Sequence, residues 1–308
     1  MAIRQNLLVR LTIYQRERFP LLKTATLLAC FSAAGVSVSA HLAGRPLPGP
    51  LPFAIAFIVS LILFFQMRAS DEWKDFEDDR RYRPERPIPR GLVSLSTILK
   101  LALALVPVAL AAALALDARL AALLALAWAW LALMSVEFFC PRWLKSQPVA
   151  YLASHMLILP VIDFFVTACE WLPRGGVPPD GLWIFLALSF VNGCALEIGR
   201  KIWAPENERP GVETYSALWG PRPASIVWSA SITAACFLLC AVGSRTNALA
   251  SVAAPGFAGL AGCLLVARQF RQHMSPAHQN RIETAAGLWV AACYIGAGLG
   301  PVVTVALT

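Results

Sequence analysis

The sequence predicts an all-α, polytopic membrane protein, with nine transmembrane helices around a central cavity and polar loops after helices two and six. Three observations carry this. Of 308 residues, 58% are hydrophobic and only 14% charged, with a mean hydropathy of +0.62. A soluble domain carries about 25% charged residues, so this chain could not clothe a soluble surface, and it is too apolar to stay disordered. Second, nine runs approach the roughly 20 apolar residues a spanning helix needs. Third, with the N-terminus placed inside, 22 of the 26 Lys and Arg fall on the inner side, the bias of cytoplasmic loops. That bias also accounts for the net charge of +8 with no nucleic-acid partner.

In order, the runs are 21–41, 51–68, 92–116, 119–139, 148–170, 181–200, 223–243, 248–267 and 284–307. A charged segment, 1–20, precedes the first. The second is short, so its helix is expected to continue into the polar stretch behind it. Pro107 and Pro160 lie inside the third and fifth runs and should kink those helices, since proline removes a donor and clashes with the preceding turn. The cysteines form no C-x-x-C pair. Cys236 and Cys240 are four apart but lack an accompanying histidine, so they read as free thiols packed like small apolar residues. The chain reads as one domain, 1–308, in a bacterial inner membrane. Its N-terminus and the loops 69–91 and 200–222 are cytoplasmic on this reading, and its C-terminus lies outside.

The acids are concentrated. Eleven of 18 lie in two segments, 71–85 and 197–213, which follow the second and sixth runs and face the same side. In the first, Asp71, Asp75 and Asp79 are spaced i, i+4, i+8. On a helix each such step turns about 40° past a full turn and rises about 6 Å, so the carboxylates line one face. A row of oxygen ligands suits a hard divalent cation such as Mg²⁺, which is commonly shared with phosphate oxygens. Lys74, Arg80, Arg81, Arg83, Arg86 and Arg90 flank the row and would hold a diphosphate. The plainer alternative is a solvated charge run on anionic lipid. The three prolines of Arg83-Pro-Glu-Arg-Pro-Ile-Pro-Arg90-Gly91 make that stretch a rigid connector.

The segment from Asp71 to Gly91 resembles the first signature of the UbiA superfamily of intramembrane prenyltransferases, an N-D-x-x-D-x-x-x-D run followed by R-P-x-P and glycine. Asp71-Glu72 stands at the Asn-Asp, and Asp75 and Asp79 match the later acids. The resemblance extends to the nine helices and the placement of both acidic loops. The second signature, of D-x-x-x-D type, is less faithful: Glu197 stands for the first acid, but Lys201 occupies the second position. Either Glu206 or Glu208 folds back to supply the missing carboxylate, or Lys201 neutralises diphosphate directly. A plain helix-end ion pair between Glu197 and Lys201 is the competing reading. Gly211 to Gly220 resembles the family's G-x-x-T stretch. Cys140-Pro-Arg-Trp-Leu-Lys145 resembles its Y-P-x-x-K loop, without the tyrosine and with one residue added.

The resemblance implies an isoprenyl diphosphate, a lipophilic acceptor, with aromatic compounds among the options, and Mg²⁺. Asp71, Asp75, Asp79 and Glu197 become the catalytic acids, with Asp71, Asp75, Glu197 and Glu206 as metal ligands. Lys74, Arg86, Lys145, Arg200 and Lys201 become the diphosphate contacts. Trp73 and Phe76 are candidates to face a developing carbocation. A terpene cyclase using the same ionisation without an acceptor, a non-catalytic lipid binder and a transporter are the alternatives. Within the membrane, His155 and Asp163 are eight residues apart and can face one cavity, with Tyr151 one turn earlier. Asn192 poses the same choice between a role and a hydrogen bond to a neighbouring helix. Glu137, near an inner end, reads as solvated.

Overall fold

The computed structural model describes residues 6–307, with side chains through Thr304. Arg4, counted above on the inner side, the start of the 1–20 segment and the C-terminal Thr308 lie outside the described residues. The polar N-terminal segment is itself a helix, α1 (Leu7–Arg18), opened by Asn6, whose side chain accepts from the Leu8 amide at 3.3 Å. Pro20 then separates it from α2 (Leu21–Leu42), and Pro50 at the first turn opens α3 (Pro50–Lys74). As expected, α3 runs on into the polar stretch. It breaks only at Asp75, after which α4 (Phe76–Tyr82) resumes.

Both intramembrane prolines act as expected. The third run is divided at Leu105 into α5 (Leu95–Ala104) and α6 (Val106–Leu116) around Pro107. The fifth is divided at Leu157, after the α8 (Pro141–Ser146) turn, into α9 (Pro148–Met156) and α10 (Ile158–Arg174), around Pro160. The remaining elements are α7 (Leu120–Ser135), α11 (Leu182–Arg200), α12 (Tyr215–Trp219), α13 (Pro221–Arg245), α14 (Leu249–His273) and α15 (Pro276–Leu307). Among the described residues, eight spans are long and apolar enough to cross a membrane, with α5–α6 and α9–α10 each counted as one. The fourth run is helical over only 16 residues, in α7, because the chain turns left-handed at Glu137. At 1.5 Å per residue that is about 24 Å, short of the roughly 30 Å hydrocarbon core.

The helices pack through small residues, as lipid-embedded helices do. A Cβ added at Gly298 of α15 would stand 2.7 Å from the Ala34 Cα of α2, so these backbones touch. Trp228, Phe165 and Phe185 are fully buried in the main core. A smaller cluster of Tyr14, Ala69, Ile88, Val93, Ile98 and Ala102 seats α1 and the proline-rich connector on α3 and α5. Polar contacts fix that seat: Arg18 Nε lies 2.6 Å from Glu72 Oε1, and Arg10 Nε donates to the Leu92 carbonyl at 2.5 Å. All eight cysteines are free.

Candidate active site

The two acidic segments meet at one end of the bundle. Gly211, at φ +76, brings its backbone so close to Tyr82 that a Cβ there would lie 2.5 Å from the ring, so only glycine serves both conformation and contact. Arg209 and Glu85 pair across the same seam at 3.8 Å. The second segment is ordered from within. Glu208 accepts from the hydroxyls of Thr214 at 2.8 Å and Ser216 at 2.7 Å. Thr214 caps α12 by accepting from the Ala217 amide at 3.0 Å. Gln279 of α15 accepts from the Ala204 amide and the Asn207 side chain, each at 2.8 Å.

These contacts leave a cavity of about 30 Å³ lined by Lys145, Tyr151, Lys201, Glu213, Thr214 and Tyr215, among others. Lys145 reaches it from α8 and Lys201 from the end of α11. Lys201 Nζ also lies 2.9 Å from Glu197 Oε1, with Arg200 at 3.8 Å from the other oxygen. The helix-end ion pair therefore exists, and Lys201 still faces the cavity. Burial, with Glu197 nearby, pushes the Tyr215 phenol up, so it stands in the wall as a neutral donor. Beside the cavity, half-exposed Asp71 has Asp75 and Glu197 as like-charged neighbours.

Other expected site residues are placed differently. Asp79 is buried and holds Arg86 at 2.6 Å and Arg83 at 3.2 Å. The helix kinks at Asp75, and the ion pairs of Asp79 brace the connector. Burial draws the Arg86 guanidinium down from its ordinary value, against the pull of Asp79. Lys74 turns inward, donating to Tyr151 Oη at 2.8 Å and lying 3.3 Å from Glu137. Glu206 is exposed on the 205–207 turn, and Glu208 is occupied by Thr214 and Ser216. Trp73 lines a separate apolar hollow of about 350 Å³ between α3, α5, α6 and α7, together with Ser70, Leu103 and Trp128. Phe76 lies under Arg80.

Two placements, Glu137 and Glu170, were not foreseen, and Asp163 makes the interhelical hydrogen bond that was one of its two readings. Glu137 is not solvated but buried, because Glu137, Phe138 and Phe139 take positive φ values of 50, 51 and 59 and aim the carboxylate inward. Asp163, fully buried, accepts from Tyr294 Oη at 2.8 Å, and Tyr294 also reaches Ser189 at 3.1 Å, so Asp163 ties α10 to α15 and α11. At the opposite end of the bundle, buried Glu170 accepts from Ser39 at 2.7 Å and Arg45 at 2.9 Å. No short motif marks Glu137 or Glu170; only the rarity of an acid in an apolar run does.

Among the described residues, no three or more His, Cys, Asp or Glu are gathered as a ready metal cage. Mg²⁺ rarely needs one, since one or two carboxylates, waters and substrate phosphates usually complete its shell. Half-exposed Asp71 fits that description, with Asp75 and Glu197 as its charged neighbours.

No curated protein sequence matches the chain. Among solved structures, a UbiA homolog from Aeropyrum pernix K1 in its apo form superposes with a TM-score of 0.65 at 19% identity, covering 90% of this chain and 98% of its own. A digeranylgeranylglyceryl phosphate synthase superposes at 0.59 and 15% identity, covering 94% of this chain and 99% of its own. A UbiA homolog from Archaeoglobus fulgidus, bound to GPP and Mg²⁺, superposes at 0.55 and 13% identity, covering 91% and 98%. These likenesses establish the fold. The model of the UbiA prenyltransferase family matches residues 27–291, most of the chain. This multi-pass membrane protein belongs to the UbiA prenyltransferase family and is an enzyme of that family.

Proposed function

We infer that the protein transfers an isoprenyl group from an isoprenyl diphosphate to a lipophilic acceptor, with Mg²⁺, at the cytoplasmic face of an inner membrane. On this reading α7 is the ninth span, and the bundle opens into a central cavity when substrates enter. The observation that carries the reading is convergence. Lys145 and Lys201, 56 positions apart, line one cavity, and Lys201 pairs at 2.9 Å with Glu197, which with Asp75 neighbours Asp71. Two ammonium groups beside a carboxylate cluster suit a metal-bound diphosphate and little else.

Asp71, Asp75 and Glu197 would hold Mg²⁺, which when bound stabilises the charge of the departing diphosphate. Lys145 and Lys201 bind the diphosphate oxygens, and the neutral Tyr215 phenol and Thr214 orient it. The apolar hollow beside Ser70 and Trp73 adjoins Asp71 along α3 and accommodates the isoprenyl chain. Donors fixed where charge develops supply the larger part of such catalysis. GPP and Mg²⁺ in the Archaeoglobus fulgidus structure support this donor class.

The test is diphosphate release by the protein in lipid nanodiscs, with Mg²⁺ and isoprenyl diphosphates of several lengths, with and without a membrane lipid extract. Extract-dependent release, lost in Asp75→Ala, is the expected result. Release without extract would indicate cyclase chemistry, and full activity in Asp75→Ala would refute the site.

A further inference from the structure

Behind the cavity stands a buried polar group that donor binding does not use. Glu137 opens three consecutive left-handed residues, none of them glycine, a backbone that persists only where its surroundings enforce it. The turn delivers the carboxylate to Tyr151, Lys74 and His155.

His155 Nδ1 lies 2.9 Å from the Tyr151 carbonyl oxygen. A carbonyl only accepts, so Nδ1 carries a proton and Nε2 is the ring nitrogen turned toward Glu137. That Nε2 has no hydrogen-bond partner, and 3.6 Å away is Glu137 Oε2, which has none either. The two atoms face each other in a buried site, placed to share one proton. Glu137 Oε1 accepts from Tyr151 Oη at 3.3 Å, and Tyr151 Oη accepts from Lys74 at 2.8 Å. Tyr151 also stacks on His155 at 4.0 Å and lines the Lys145–Lys201 cavity. The charges facing His155 are Glu137, Lys74 of α3 and Glu197 of α11, with the Phe138 ring at 6.1 Å.

We propose that Tyr151, backed by the Glu137–His155 pair, accepts the proton of the nucleophile during prenyl transfer, a role that rests on the transferase reading above. The C–O bond of the isoprenyl diphosphate breaks and its electron pair leaves with the diphosphate. A lone pair of the nucleophile forms the new bond to the allylic carbon. The nucleophile's proton passes to Tyr151 Oη while the proton of Tyr151 passes to Glu137. Tyr151 ends neutral, and the Glu137–His155 pair holds one proton more. Tyr151 meets the substrate, whereas Glu137 and His155 act through it.

Two measurements on the full chain in nanodiscs test this. In the first, with Mg²⁺, isoprenyl diphosphates and membrane lipid extract, Glu137→Gln and Tyr151→Phe should each lower kcat by about 10²-fold or more. KM for the diphosphate should stay within about twofold, which separates this role from donor binding. Activity should return in part in Glu137→Asp, which restores the carboxylate. Wild-type kcat in both Glu137→Gln and Tyr151→Phe would overturn the proposal. In the second, infrared difference spectra of resting protein should show a Tyr151-coupled carboxyl band that Glu137→Gln removes and Tyr151→Phe shifts, the mark of their hydrogen bond. Its absence from the wild type would overturn the proposal whether or not turnover is found. A present band without any extract-dependent turnover would count against the transferase reading instead.

Discussion

The protein buries a carboxylate at each end of its bundle, and the two are built for opposite purposes. Glu170 meets cations on both oxygens, Arg45 at 2.9 Å and Arg174 at 3.6 Å, with Ser39 at 2.7 Å. Glu137 meets Lys74, Tyr151 and the Nε2 of His155. Arginine does not give up its proton in proteins, so the Glu170 cluster is electrostatically fixed. Lysine, tyrosine and histidine all exchange protons, so the Glu137 cluster is not. Burial alone therefore does not mark a functional acid; the partners' ability to move a proton does. The distinction matches the placement, because the cavity and the Asp71, Asp75 and Glu197 neighbours lie at the Glu137 end.

The largest expected effect sharpens this contrast. Chelating Mg²⁺ should reduce diphosphate release by about 10³-fold, the consequence of removing several kcal/mol of charge stabilisation. The melting temperature in nanodiscs should hardly move, because the helices pack through contacts remote from that end. A large loss of thermal stability on chelation would mean that the metal is structural. Next comes the Lys145→Ala, Lys201→Ala double variant. Charge-assisted hydrogen bonds are worth about 1.5–3 kcal/mol each, so KM for the isoprenyl diphosphate should rise at least about tenfold. An unchanged KM would detach the cavity from the donor.

Glu170→Gln probes the other end. Losing one partner of a buried ion pair costs about 3–5 kcal/mol. Here Arg45 and Arg174 keep 26% and 31% of their side-chain surface exposed, so solvent screening reduces the expected loss to about 2 kcal/mol. The melting temperature should fall while kcat of the folded protein stays at the wild-type value. A kcat loss with an unchanged melting temperature would erase the contrast between the two ends.

Why one end was legible from the sequence and the other was not has a physical reason. Hydropathy and charge placed the spans, and Pro107 and Pro160 broke their helices where a missing donor requires it. Neither could show that α7 stops after 16 residues, because its end is a left-handed turn without a glycine or asparagine to announce it. The same turn hid Glu137, whose position in the sequence looked like a solvated helix end. Helical spacing brought Asp71 and Asp75 to attention, and the structure keeps them near Glu197. Spacing also enrolled Asp79, whose partners are Arg83, one helical turn on, and Arg86, which the connector folds back to it after the helix has ended. The N-terminal helix went unseen because its anchors, Arg18 with Glu72 and Tyr14 in the small core, are long-range contacts.

Arg86 supplies the smallest and most discriminating prediction, since the sequence reading assigns it to diphosphate and the structure to Asp79. As a brace, it donates to both Asp79 oxygens, at 2.8 and 2.6 Å. Removing it leaves Asp79 with Arg83 at 3.2 Å, so the buried carboxylate does not lose its last cation. The loss should therefore fall below that of an orphaned buried charge, at about 1 kcal/mol. Arg86→Ala should lower the melting temperature slightly and leave KM for the isoprenyl diphosphate unchanged, whereas a donor contact would raise KM by about tenfold. Measuring both in one preparation separates the roles. A raised KM at unchanged stability would show that the Asp79 pair opens on binding and releases Arg86 to the substrate, which would extend the working end of the molecule out to the connector.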